Sequence, residues 1–75
     1  MKIPEKRIRA YALKNAIAYN GKAQIGPVIS ALFNEGMKKS EAKDYAKIIS
    51  KIINEINSLS LDKQKKEFEK LKEIV

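Results

Sequence analysis

Apolar positions recur along this chain every three to four residues, the period of an amphipathic helix, and no stretch alternates as a strand would. The pattern is clearest where Tyr45, Ile48, Ile49, Ile52, Ile53 and Ile56 form one apolar face. Ser40 is placed to cap that helix, and Glu41 and Asp44 put negative charge in its first turn, where the helix dipole favours it. A first helix is expected from Pro4, whose missing N–H suits the first helical position, to about Tyr19, where Asn20-Gly21 can take the left-handed conformation that ends it. Ile8, Ala12, Ala16 and Tyr19 share one face of it, with Leu13 and Ile17 alongside, and Arg7, Tyr11, Lys14 and Ala18 share another. A loop over 21–26 leads to a short second helix from Pro27 to near Asn34, with Val28, Ile29, Leu32 and Phe33 apolar and Gly36 ending the segment. Ser58-Leu59-Ser60 interrupts the pattern again, and Ser60 caps a last helix whose Leu61, Phe68, Leu71 and Val75 mark a buried stripe. The expected fold is all-α: a small bundle of about four helices, in one domain over residues 1–75.

A chain of this length buries only roughly 60% of the surface its unfolded form exposes, so the core must be modest. Hydrophobic residues make up 44% of it, enough for a folded domain. The formal net charge is +7, and its distribution matters more than its size. Residues 1–51 carry eleven lysines and arginines against four acids, whereas residues 52–75 carry five of each sign. All of the excess therefore lies in the first two thirds, which points to an anionic partner for that part. Lys43, Lys47 and Lys51 recur at every fourth residue opposite the isoleucine face, and Lys38 and Lys39 extend the run at its start. Such a stripe is either the solvated face of an amphipathic helix or a track for phosphates.

Catalytic chemistry has no foothold here. There are no cysteines and no histidines, so thiolate zinc sites, disulfides and the commonest acid–base catalyst are all excluded. The serines have no histidine to activate them, and Glu67 and Glu69 lie among lysines on a solvated helix. No metal, cofactor or catalytic residue is expected. The first twenty residues include Lys2, Lys6, Arg7, Arg9 and Lys14, unlike a signal peptide, and no apolar run approaches the ~20 residues of a membrane span, so no membrane partner and a cytoplasmic location are expected. Gly21-Lys22 lacks the spacing and preceding strand of a phosphate-binding P-loop. A phosphate could still sit between Lys22 and the opening N–H groups of the second helix, from Val28 onward; a plain helix–turn–helix corner accounts for the same residues. A DNA-reading helix-turn-helix is a poor fit, because its recognition helix needs polar side chains for base edges and the second helix here is short and apolar. Lysine-dominated surfaces favour phosphate contact over base reading.

The segment from Ile8 to Ala23, with Tyr11-Ala12-Leu13, Asn15-Ala16, Tyr19 and Gly21-Lys22-Ala23 in order, resembles the opening of archaeal-type glutamyl-tRNA synthetases. Val28-Ile29 follow at a fitting distance, and Glu55-Ile56-Asn57-Ser58-Leu59-Ser60 resembles the family's Val-Asn-Ser-Leu-Ser segment before its last appended helix. Related helical domains are appended to eukaryotic glutaminyl-tRNA synthetases and to tRNA-dependent amidotransferases, so the shared ligand is tRNA. The resemblance implies an appended N-terminal domain of a class I synthetase, with the ATP-dependent glutamate–tRNA ligase chemistry in a catalytic domain absent from this chain. The expected function is that of a non-catalytic tRNA-binding module in translation; the alternative is a module that docks on a synthetase catalytic domain, in cis or in trans, or on another protein. Lys22 belongs to the resembling motif. The other RNA-binding candidates, Arg7, Arg9, Lys14, Lys38, Lys39, Lys43, Lys47 and Lys51, follow from charge and helical geometry.

Overall fold

In the computed structural model, residues 3–74 are described, and among them there are four α-helices and no strand. The all-α bundle expected from the sequence is what forms. The helices are α1 (Glu5–Ala18), α2 (Ile25–Asn34), α3 (Ala42–Asn57) and α4 (Leu61–Leu71), with single 3-10 turns at Lys39–Glu41 and Lys72–Ile74. α1 packs against each of the other three helices, and α3 closes the bundle against α2. The core is one cluster in which Ile8, Ala12, Leu13 and Ala16 of α1 meet Val28 and Leu32 of α2 and Tyr45, Ile49, Ile52, Ile53 and Ile56 of α3. Alanines on the buried side of α1 let it approach its neighbours closely; Ala10, Ala12 and Ala16 are all fully buried. Ile3 is buried as well, and its N–H donates to the Tyr45 hydroxyl at 2.9 Å, tying the start of the described chain to α3.

The turns follow the chemistry of their residues. Asn20 and Gly21 have φ of 58° and 98°, and the Gly21 N–H donates back to the Ala16 carbonyl at 2.7 Å, closing α1. Gly36, at φ 107°, closes α2 in the same way, with the Met37 N–H on the Leu32 carbonyl at 3.0 Å. Ser60 caps α4, its hydroxyl accepting from the Lys63 N–H at 3.3 Å.

Several local expectations are corrected. Pro4 is the residue before α1 rather than its first residue. α2 begins two residues early, at Ile25, so Pro27 is its third residue. Proline is tolerated there because the first-turn amides have no partner within the helix. Ser40 is not a cap: it lies inside the 3-10 turn, and the Glu41 carboxylate accepts the Lys38 N–H at 2.9 Å instead. Tyr19 and Ile48 are exposed, at 56% and 38%: Tyr19 falls just past the end of α1, in the turn, and Ile48 borders an open depression beside α3. Leu61, Phe68 and Leu71 are only half-buried, and Val75 lies outside the described residues.

Candidate nucleic-acid interface

α3 carries the simplest part of the basic surface. With Tyr45, Ile49, Ile52 and Ile56 turned into the core, Lys43, Lys47 and Lys51 stand on the opposite side and are all exposed. Asp44 and Glu55 flank this stripe; Glu55 is engaged by Arg9. Lys38 and Lys39 are exposed on the approach to the N-terminal end of α3. Lys22 is exposed on the α1–α2 loop, which is fastened to the C-terminal end of α3 by Asn57. These candidates are thus strung along the length of α3, about 24 Å for its turns at ~1.5 Å per residue. Lys14 is also exposed and lines a shallow groove between α1 and α2 with Tyr11, Asn15, Ala18, Pro27 and Ala31.

The two arginines are placed differently, and the structure does not bring them together. The Arg7 guanidinium Nε lies against the Glu35 carboxylate at the end of α2. Arg9 reaches Glu55 of α3 at 3.2 Å and Glu67 of α4 at 3.3 Å. Both are half-buried and tie α1 to other helices. By contrast, among the described residues no ion pair involves Lys14, Lys22, Lys38, Lys39, Lys43, Lys47 or Lys51.

Glu35 also accepts a hydrogen bond from the Tyr11 hydroxyl at 2.7 Å. That hydrogen bond, together with the charge of Arg7, holds the Glu35 carboxyl below its ordinary value, against the opposing effect of desolvation. The same hydrogen bond, with burial, pushes the Tyr11 phenol up. A depressed carboxylate stabilises the fold above its ordinary value near 4.5, and this contribution is lost as pH falls through its folded value. A raised phenol stabilises the fold below its ordinary value near 10.0, and this contribution is lost as pH rises through its folded value. Thermal melts across pH should therefore show an acid-side loss that is smaller in Tyr11→Phe, and complete at a higher pH, than in the parent, so that the two proteins converge in acid. The gap between the two proteins should close at strongly alkaline pH.

The loop that carries Lys22 is held by three side-chain amides from three helices. Asn15 of α1 accepts the Gln24 N–H at 2.7 Å. Asn57 of α3 accepts the Ala23 N–H at 2.8 Å and returns its own N–H to the Ala23 carbonyl at 3.3 Å. Gln64 of α4 donates to the Gly21 carbonyl at 2.9 Å, and also to those of Ile56 at 2.9 Å and Leu59 at 3.3 Å. Gln64 is wholly buried, and its side-chain oxygen has no partner. Such an orphaned acceptor costs about 1–3 kcal/mol.

These holdings also change the anion site expected at the start of α2. The Gln24 amide is occupied and Pro27 has none, so the opening donors left are those of Ile25 and Gly26, and Val28 lies beyond them. Sequence reasoning missed all three clamping amides. Asn15 and Asn57 are part of the resembling motifs but look like ordinary surface residues. Gln64 did leave a signal: it occupies the apolar register between Leu61 and Phe68, where a polar side chain has to find partners inside the fold.

Comparison with known proteins gives this arrangement its context. The chain is 39% identical over 72 residues to a glutamate–tRNA ligase of Metallosphaera sedula, covering 95% of this chain and 13% of the relative. It is 43% identical over 72 residues to the glutamate–tRNA ligase of Methanocaldococcus jannaschii, with the same two coverages. With that of Pyrococcus furiosus it shares 40% identity over 68 residues, 89% of this chain and 12% of the relative. The chain is homologous to a short segment of archaeal glutamate–tRNA ligases. The ligase-like segment is thus a synthetase-related helical domain, and it spans about an eighth of the length of these relatives. No family model and no solved structure matches the chain. No helix among its described residues is long and apolar enough to cross a membrane.

Proposed function

We propose that the chain is a non-catalytic tRNA-binding module of the kind appended at the N-terminus of archaeal glutamate–tRNA ligases. It grips the phosphate backbone through basic residues and reads little base sequence. The observation that carries this reading is the contrast between the two kinds of basic residue. The arginines are spent on ion pairs that hold the bundle together, whereas the seven candidate lysines are exposed with no ion-pair partner among the described residues. Exposed, unneutralised lysines bind phosphate by releasing counterions from the nucleic acid. A gel shift with tRNA at two salt concentrations tests it: a complex at low salt that weakens steeply at higher salt is expected, and no complex at low salt refutes it.

The ligase chemistry named for the relatives belongs, on this reading, to sequence outside the chain. The purified chain is expected to give no ATP–pyrophosphate exchange and no aminoacylation. Measurable exchange by the chain alone would overturn the reading.

The docking alternative has one observation in its favour. α2 contains no charged residue in a chain that is 33% charged, and Ile25 and Phe33 on it are 42% and 43% exposed. An apolar stripe of this kind suits a protein surface better than RNA. Loss of partner binding in Phe33→Ser with tRNA affinity unchanged would favour docking for that face.

A further inference from the structure

We propose that Asn15, Asn57 and Gln64 are positioning residues, holding the loop from Gly21 to Gln24 in one geometry so that Lys22 meets a phosphate of bound RNA as a fixed contact. This rests on the tRNA-binding reading above. The four loop residues lie between α1 and α2, yet their main chain is anchored from three helices: Gly21 through Gln64, Ala23 on both its N–H and its carbonyl through Asn57, and Gln24 through Asn15. Lys22 is enclosed by these anchors, its own N–H faces the Tyr19 carbonyl at 3.4 Å, and its side chain is exposed. Two successive left-handed residues, Asn20 and Gly21, lead into the loop, and a Cβ at Gly21 would be strained at φ 98° and would stand 3.7 Å from the Gln64 oxygen.

Two features indicate that the clamp serves more than folding. Gln64 is wholly buried with its oxygen unpartnered, so it is not the residue that stability alone would select at an apolar register position. Its amide nitrogen nevertheless faces three carbonyls, which fixes the orientation of the group and joins the loop to the ends of α3 and α4. Asn57 is exposed, yet it spends both ends of its amide on a single loop residue. A lysine on a loop already ordered loses little conformational freedom on binding, whereas a lysine on a mobile loop must order the backbone as well. The clamp therefore raises what Lys22 contributes, to a level comparable with the lysines carried on α3.

The test is a set of crossed substitutions read by tRNA affinity at low salt. Lys22→Ala is expected to weaken binding about 3- to 10-fold in the parent protein, in line with the loss of one phosphate contact. In an Asn57→Ala background the same substitution is expected to cost less than about twofold, while Lys47→Ala costs as much in either background. Gln64→Met should behave as Asn57→Ala does; if it fails to fold, Asn57→Ala, whose side chain is exposed, decides alone. A purely structural role would lower the melting temperature without separating Lys22 from Lys47. An equal cost of Lys22→Ala with and without Asn57, or no cost in the parent while Lys47→Ala weakens binding, overturns this inference and leaves the tRNA-binding reading intact. Absence of any tRNA complex with the parent protein overturns both.

Discussion

Between 50 and 200 mM salt, the affinity of this chain for tRNA is expected to fall by about 60- to 1,000-fold, a slope of roughly −3 to −5 in log affinity against log salt. The figure follows from about four to six lysine–phosphate contacts, each of which displaces a counterion. The seven candidate lysines are exposed and without ion-pair partners among the described residues, as are Lys6, Lys63, Lys65, Lys66 and Lys70. Replacing Lys43 and Lys47 with alanine should reduce the slope by about two units with no change in preference among tRNAs, since phosphate contacts carry no sequence information. Arg7 and Arg9 should contribute less to the slope than their charge suggests, because Glu35, Glu55 and Glu67 already occupy them. Lys65→Ala with Lys70→Ala is the control. Both lysines carry the same charge as the α3 lysines but lie in the neutral last third of the chain, where Glu67, Glu69 and Glu73 oppose it. If that pair weakens binding as much as the Lys43/Lys47 pair, RNA responds to net charge alone and the proposed face is wrong.

Ile52→Ala should destabilise the bundle by about 2–5 kcal/mol, whereas Ile48→Ala should cost under about 1 kcal/mol. The two residues are one turn apart on α3, and sequence periodicity assigns both to the apolar face. Ile52 is 1% exposed, amid the side chains of the other helices, and truncating it leaves a cavity that a close-packed interior cannot fill. Ile48 is 38% exposed and borders an open depression with Ile3, Pro4, Glu5, Glu41, Asp44 and Tyr45, so water replaces most of what is removed. In a domain this small each kcal/mol moves the melting temperature by about 4–8 °C, which makes the contrast measurable by thermal denaturation. If Ile52→Ala leaves no folded protein to melt, Ile52→Val should still show a cost of about 0.5–1.5 kcal/mol. Equal effects at the two positions would mean that the face is covered beyond the core described here.

The sequence alone determined which segments are helical and where they stop. Those are local matters: the period of Tyr45, Ile49, Ile52 and Ile56, the left-handed tolerance of Asn20, Gly21 and Gly36, and the hydroxyl of Ser60 act within a turn or two of chain. It also determined the excess of positive charge in residues 1–51, and its motifs carried the resemblance to the ligases. What only the tertiary structure decided depends on pairings between residues far apart in the chain. Arg7 and Arg9 look like Lys43 and Lys47 in a charge count, but partners 28 to 58 residues away turn them into struts. Ile48 satisfies the helical period and still faces water, because the period fixes a direction and leaves open whether a neighbour fills it. The clamp on the Lys22 loop was invisible for the same reason. Asn15, Asn57 and Gln64 are separated by as much as 49 positions, and only the packing of α1, α3 and α4 brings their amides onto one loop. Polar side chains have no periodic signature, so their partners can be read only once the helices have been set against each other.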